Sequence, residues 1–481
     1  MKYSFLKNKY LPYSLLILGI VWVILNIYFL PFHIWDAGVV RPWYMLKGLV
    51  IYKDFTWIRM PFDIFTLAVW YKFVGVSAAA YQNFIFLIET ILTIAFFFIS
   101  RKIQPKVYLV SFLTFIIFLF PLFQNTEIGE LLIGLIQLLL FFCMYLFITK
   151  KKLRYLIFAA GLTGISFITK QNSILVAGAF LTVLLLQSLK TKRVAKDFLQ
   201  KAFIYLGIAI LPFLALIFYF SYLHALKDFL YYTVLFLFTT YKEANVVHGD
   251  GGWIAAAYVV VLIPFIFLRK SKNLKPVILI FLVLQIASLF PSFFPSFLSY
   301  RAFTMFPLVC LAAGFSFSIL FEKSKINKKA AVIISYTLLL FFISRFISGY
   351  ITAFNDGGGF AKGQLLTSYG TTEQKVADEI KKNSSSNDRI LNYGSEMMYL
   401  EANRLPANKY VDPFPYLLKP YNNSEKVFAA HPPKLVVYDT SLPGDHAGLS
   451  QWPFLQMLQD KYDVMGRFDK NLVLYRFRSS D

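Results

Sequence analysis

The sequence predicts a polytopic α-helical membrane protein of about eleven transmembrane helices, ending in a small extracytoplasmic α/β domain. Three observations carry this. Hydrophobic residues make up 58% of the 481 and charged residues only 15%, against about 45–50% and about 25% in a typical soluble domain. Apolar runs approaching the roughly 20 residues that a hydrocarbon core demands recur from the N-terminus to about residue 350. Basic clusters follow every second run, the bias that marks cytoplasmic loops.

The expected spans are 13–31, 78–99, 107–122, 128–149, 154–168, 173–189, 202–222, 253–268, 276–290, 302–320 and 331–350. Lys2, Lys7 and Lys9 precede the first run, as in a signal peptide. That run has no small-residue cleavage site, so it reads as an uncleaved helix. The stretch PFDIFTLAVWYKFVGV (61–76) starts at a proline and carries Asp63 and Lys72, which fits an amphipathic helix at the interface. Basic clusters stand at 101–106, 150–154, 190–196, 269–275 and 322–329, whereas 123–127 has no basic residue and the next outward join only Lys170. The N-terminus is therefore expected in the cytoplasm of a cell (plasma or inner) membrane, with the odd-numbered loops and everything after about 350 outside. The formal charge of +22 is then mainly a topology signal, and a nucleic-acid partner is not expected.

After Thr352 the composition turns polar. KVADEIKKNSSSNDR reads as an amphipathic helix running into a turn, RILNYG, KLVVYD and NLVLYRFR as strands, and 395–402 and 451–460 as helices. The expected division is a transmembrane domain over 1–350 whose first outer loop is 32–77, a linker over 351–370 with NDGGG at 355–359, and a soluble domain over 371–481. Cys143 and Cys310 lie in apolar runs and read as small core residues.

With sidedness assigned, the unusual polar residues fall on one face. Asp36, Arg41, Asp54 and Arg59 lie in the first outer loop, Glu127 and Glu130 in QNTEIGE, Lys170, Gln171 and Asn172 after the fifth span, and Tyr300 and Arg301 before the tenth. A charge at membrane depth costs about 2.5–3.5 kcal/mol on insertion scales, so such residues line a cavity, pair, or act in function. Each has a plainer reading. Asp54 and Arg59 fit an interfacial salt bridge, Glu127 a helix cap, and Lys170 a snorkelling anchor. Asp36 has no basic neighbour before Arg41 and is hardest to explain structurally. The five His residues show no metal-ligand spacing, and no nucleotide-binding loop or hydrolase elbow is present.

The order of motifs resembles the GT-C glycosyltransferases. An Asp follows the first span. Then come Gly48, Tyr52 and Asp54 in G-x-x-x-Y-x-D, RMPF (59–62), and FVG (73–75). The likeness continues in GLTGISFITKQNSILV, FLSYRAFTMFP, YGSEMMYLEANRLPANKY and PPKLVVYD, over most of the chain. It is similar in particular to bacterial members of family 39, relatives of protein O-mannosyltransferases and of the lipid A aminoarabinose transferase. Two departures stand out. Ala37 follows Asp36 where many relatives carry an acidic pair, and Met60 precedes Pro61 where many carry two prolines. The first weakens any transfer of a metal or second-acid role.

The resemblance implies an inverting transfer of a sugar from a polyprenyl-phosphate donor to a hydroxyl of an extracytoplasmic glycan, lipid or protein. Asp36 would be the catalytic base. Tyr52, Asp54, Arg59, Glu127, Lys170, Gln171, Tyr300 and Arg301 would line the substrate site, with Arg59, Lys170 and Arg301 towards the phosphate and Trp43 and Trp57 stacking on the sugar. No cofactor is indicated with certainty, and a divalent metal is left open. The competing readings are a transporter or flippase for a lipid-linked or acidic solute, and a polysaccharide ligase or polymerase of different fold. A transporter would show two related halves with broken spans, and no such symmetry is visible.

Overall fold

A computed structural model of the chain describes residues 10–29, 32–33, 36–122, 127–189, 194–236, 276–293, 299–318, 365–366, 371–409, 432–440, 453–468 and 471–478, with a few isolated positions. It divides into two compact units. One comprises Met1–His33, Gln82–Ile217 and Val246–Leu365, the other Ile34–Tyr81, Phe218–Asn245 and Leu366–Asp481.

Among the described residues five helices are long and apolar enough to cross a membrane: Leu11–Tyr28, Ala78–Ile103, Ile128–Lys150, Gln171–Ser188 and Val194–Tyr222. Shorter apolar helices lie at Tyr108–Ile117, Leu153–Thr169, Val277–Leu289 and Phe306–Phe317. These cover nine of the eleven expected spans; those at 253–268 and 331–350, like the NDGGG linker, fall outside the described residues apart from isolated positions. Two spans differ in detail from expectation. The one expected at 202–222 runs over Val194–Tyr222 and is interrupted at Ile210, because Pro212 lacks the amide that would continue the ladder. The one expected at 302–320 begins as a 3-10 turn, Ser299–Thr304, and becomes α-helical only from Phe306, with Pro307 in its first turn, where a proline is tolerated.

The helical unit packs through small residues and buried amides. A Cβ on Gly134 would lie 2.6 Å from the Phe303 carbonyl oxygen, and one on Gly164 would collide with the Ala209 carbonyl, so glycine permits these close approaches. Gln137 donates to Ser166 Oγ at 2.7 Å, and Gln285 donates to Gln137 Oε1 at 2.7 Å, tying three helices together. Cys310 is buried as expected, and Cys143 is half-buried.

In the second unit the segment after the first span forms helices Asp36–Leu46 and Phe62–Val74. The latter exposes Val69 and Phe73, as an interfacial helix would, but buries Asp63, whose Oδ1 accepts the Ile64 amide at 2.8 Å. The C-terminal part carries a four-stranded sheet in the order Leu391–Tyr393, Leu435–Asp439, Leu472–Phe477, Tyr462–Phe468. The first pair is parallel and the others antiparallel. Helices Thr371–Asn383, Met397–Ala402 and Pro453–Lys461 accompany it. Three strands match the sequence expectation. The fourth, YDVMGRF, is an edge strand with an irregularity between Val464 and Gly466 and only Tyr462 buried, so it lacks a hydrophobic pattern to read.

Candidate active site

Asp36 opens the helix Asp36–Leu46 and is 9% exposed. An acid in the first turn is favoured by the positive end of the helix dipole. Its Oδ2 accepts a hydrogen bond of 2.5 Å from Ser395 Oγ, in the turn between strand Leu391–Tyr393 and helix Met397–Ala402. Five residues along the same helix, Arg41 makes a bidentate pair with Glu396: Nε reaches Oε2 at 3.1 Å and Nη2 bonds Oε1. Arg41 Nη1 donates to the Thr56 carbonyl at 3.3 Å, and the guanidinium lies 5.1 Å from the centre of the Trp57 ring. Tyr44 packs edge-on to Tyr399 with ring centres 5.9 Å apart. Burial first, and Glu396 second, hold the Tyr44 hydroxyl well above the usual phenol range, so it stays neutral.

The rest of the loop is built on a tight turn. Gly48 and Tyr52 both have positive φ, 87° and 70°, and the Tyr52 amide bonds the Phe55 carbonyl at 2.8 Å. The Tyr52 ring has no exposed surface. It sits 5.2 Å from Phe220 and 5.4 Å from Phe229, and its hydroxyl donates to the Arg59 carbonyl at 2.5 Å. Tyr52 therefore fixes the path of the loop up to Arg59, as a core residue. Asp54 is half-buried and turns its carboxylate to the Val50 amide at 2.7 Å. Arg59 is half-buried. Trp43 and Trp57, expected to stack on a sugar, are both buried, and Arg41 occupies one face of Trp57.

In the helical unit, Glu127 is the N-cap residue of Ile128–Lys150, but its side chain makes no capping bond, contrary to the capping expectation. Glu130, one turn in, is ion-paired to Lys170. Lys170 ends the helix Leu153–Thr169, and Gln171 begins the following 3-10 turn. Arg301 is buried in the Ser299–Thr304 turn, two residues before the Phe303 carbonyl that rests against Gly134. Glu130 is one turn before Gly134 on that helix, where the Ser299–Thr304 turn packs. Tyr300 has a described backbone, and its side chain lies outside the described residues.

Sequence reasoning missed Ser395 and Glu396. They sit inside YGSEMMYLEANRLPANKY, where an acid next to a strand end was the available signal. Among the described residues no three His, Cys, Asp or Glu side chains gather as a metal site, and none of the residues above is assigned to a metal.

No protein-family model matches the chain, and no curated protein sequence does. Solved structures do match in fold. ArnT from Cupriavidus metallidurans bound to undecaprenyl phosphate aligns over 97% of this chain and 98% of its own, at 10% identity and a TM-score of 0.56. The same protein in the apo state aligns over 96% and 97%, also at 10% identity, with a TM-score of 0.58. The archaeal oligosaccharyltransferase AglB from Archaeoglobus fulgidus, in complex with an inhibitory peptide and a dolichol-phosphate, aligns over 90% of this chain and 70% of its own, at 10% identity and a TM-score of 0.51. The chain is thus a multi-pass membrane protein with a fold similar to those of ArnT and AglB.

Proposed function

We propose that this chain is an inverting membrane glycosyltransferase that takes a sugar from a polyprenyl-phosphate donor and passes it to a hydroxyl of an extracytoplasmic glycan, lipid or protein. The observation that carries the reading is the near end-to-end likeness in fold to ArnT bound to undecaprenyl phosphate. In this proposal residues 1–350 form the catalytic transmembrane domain, 351–370 a linker and 371–481 an extracytoplasmic domain. The N-terminus is cytoplasmic, as the alternation of basic loops requires.

The acceptor oxygen attacks the anomeric carbon and its proton passes to the Asp36 carboxylate. The bond from that carbon to the phosphate oxygen breaks, and polyprenyl phosphate leaves with the electron pair. A single displacement inverts the anomeric centre. Cations lower the barrier by stabilising the charge that builds on the leaving phosphate. Arg59, Lys170 and Arg301 are the proposed cations, Arg being suited to bidentate contact. Asp54, Glu127, Gln171 and Tyr300 are assigned to the substrate site, and Tyr52 to supporting it.

Purified protein incubated with radiolabelled polyprenyl-phosphate hexoses and a cell-envelope extract should transfer label. Asp36→Asn should lower the rate by about 10²–10⁴-fold, the usual contribution of a general base. Near-normal turnover of Asp36→Asn with both substrates saturating would move the base elsewhere, to Asp54 or Glu127. Movement of an unhydrolysed lipid-linked sugar across vesicles without transfer would favour the flippase.

A further inference from the structure

We infer that the Ser395–Glu396 turn of the C-terminal domain positions the catalytic carboxylate, Ser395 orienting Asp36 directly and Glu396 anchoring the helix that carries it through Arg41. The inference rests on the transferase reading and assigns a role to the YGSEMMY motif, which that reading leaves unused.

The turn is held on both sides. The Ser395 carbonyl accepts from Asn392 Nδ2 at 2.8 Å and from the Met398 amide at 3.1 Å. Asn392 has no exposed surface, and its amide donates to the Tyr399 hydroxyl at 2.9 Å. Strand Leu391–Tyr393, which leads into the turn, is in register with Val436–Tyr438 of the neighbouring strand. Ser395 is thus fixed by sheet, side chain and helix before it meets Asp36.

The turn then grips the helix Asp36–Leu46 at two points five residues apart, about 7.5 Å along its axis. At the first, the Ser395 hydroxyl bonds Asp36 Oδ2. At the second, Glu396 takes both Nε and Nη2 of Arg41. A carboxylate turns readily about its last torsion, which has broad minima. One short hydrogen bond from an anchored donor removes that freedom and sets the direction of the other oxygen. Arg41 is paired with Glu396 through two of its nitrogens. Pre-orientation matters because small misplacement of a catalytic group is costly in rate, on the order of 10²-fold for 1 Å.

The test is the effect of Ser395→Ala on kcat and KM separately. A positioning role predicts a kcat lowered about tenfold or more, KM for donor and acceptor within about twofold, and recovery in Ser395→Thr, which keeps the hydroxyl. In an Asp36→Asn background Ser395→Ala should have no further effect. Unchanged kcat, or a rise in KM alone, would overturn the inference, the latter making Ser395 a substrate contact. If the wild-type protein transfers no sugar, the transferase reading fails, and the melting temperatures of the two single variants and the double decide whether Ser395 acts on Asp36. Additive shifts would overturn the inference, and a non-additive cycle would uphold it.

Discussion

Each unit contains a buried ion pair, and the two pairs are built differently. In the C-terminal unit, Arg41 and Glu396 come together across 355 residues of sequence, with side chains 3% and 6% exposed. Both carboxylate oxygens are used, all three guanidinium nitrogens are engaged, and an indole lies over the cation. In the helical unit, Lys170 reaches Glu130 by one amine on a flexible stem, with Lys170 14% exposed. The second oxygen of Glu130 is buried without a hydrogen-bond partner among the described residues. A planar guanidinium in a fork pairs in one geometry, whereas an ammonium is a point charge that swings. The first pair is a structural lock. The second holds a cation beside a half-satisfied acid, which suits a residue assigned to a phosphate that comes and goes.

The largest effect should come from breaking the lock on one side. Glu396→Ala leaves the Arg41 guanidinium buried without its counter-ion, which costs about 3–5 kcal/mol. Thermal unfolding in detergent should show a large fall in melting temperature. The double variant Arg41→Met/Glu396→Leu should recover most of it, because replacing both charges by apolar groups is often neutral. A double variant as unstable as the single would show that the loss comes from packing around Trp57.

How far such pairs could be read from the sequence depends on separation. The spans were legible because hydrocarbon imposes long apolar runs, and strands Leu435–Asp439 and Leu472–Phe477 because each carries a run of buried apolar residues. Asp36 stood out as an acid just after a span, and the fold likeness was anticipated from motif order. Its partner Ser395 lies 359 residues away, and nothing in a single sequence joins two such positions. Trp43 and Trp57 are expected to stack on the sugar, and Tyr52 is expected at the substrate from the G-x-x-x-Y-x-D motif. All three are buried, and Arg41, expected in the polar cavity, lies against Trp57. Glu89 escaped notice because one acid hardly changes the hydropathy of a 26-residue span, yet it is fully buried, with no hydrogen-bond partner for either oxygen among the described residues.

The Lys170–Glu130 pair should respond more weakly. Lys170→Ala removes one charged hydrogen bond made by a partly exposed amine, and the cost should be about 1.5–3 kcal/mol. Glu130→Gln in the Lys170→Ala background should restore stability, since the amide removes the charge. In binding of a short-chain polyprenyl phosphate, however, both variants should remain about 10- to 150-fold weaker, which is the same free energy expressed as affinity. Full donor affinity in Lys170→Ala would make this pair a structural lock like the first.

The smallest effect belongs to a third pair, which completes the series by burial. Lys409 Nζ lies 3.0 Å from Asp228 Oδ1, with the two side chains 28% and 35% exposed. The same ammonium sits 5.7 Å from the centre of the Tyr232 ring, and the Lys409 carbonyl accepts the Thr56 amide at 2.8 Å. Lys409 is therefore held by backbone and ring even without the acid. Asp228→Asn removes the ion pair and leaves those contacts in place. Exposed pairs of this kind contribute about 0.2–1 kcal/mol, because water competes for both charges. The variant should lose no more than that, and the difference from wild type should vanish near 1 M salt, where the screening length falls to about 3 Å. A loss that persisted at high salt would mean that Asp228 acts by shape or hydrogen bonding, and exposure would then not be what orders the three pairs.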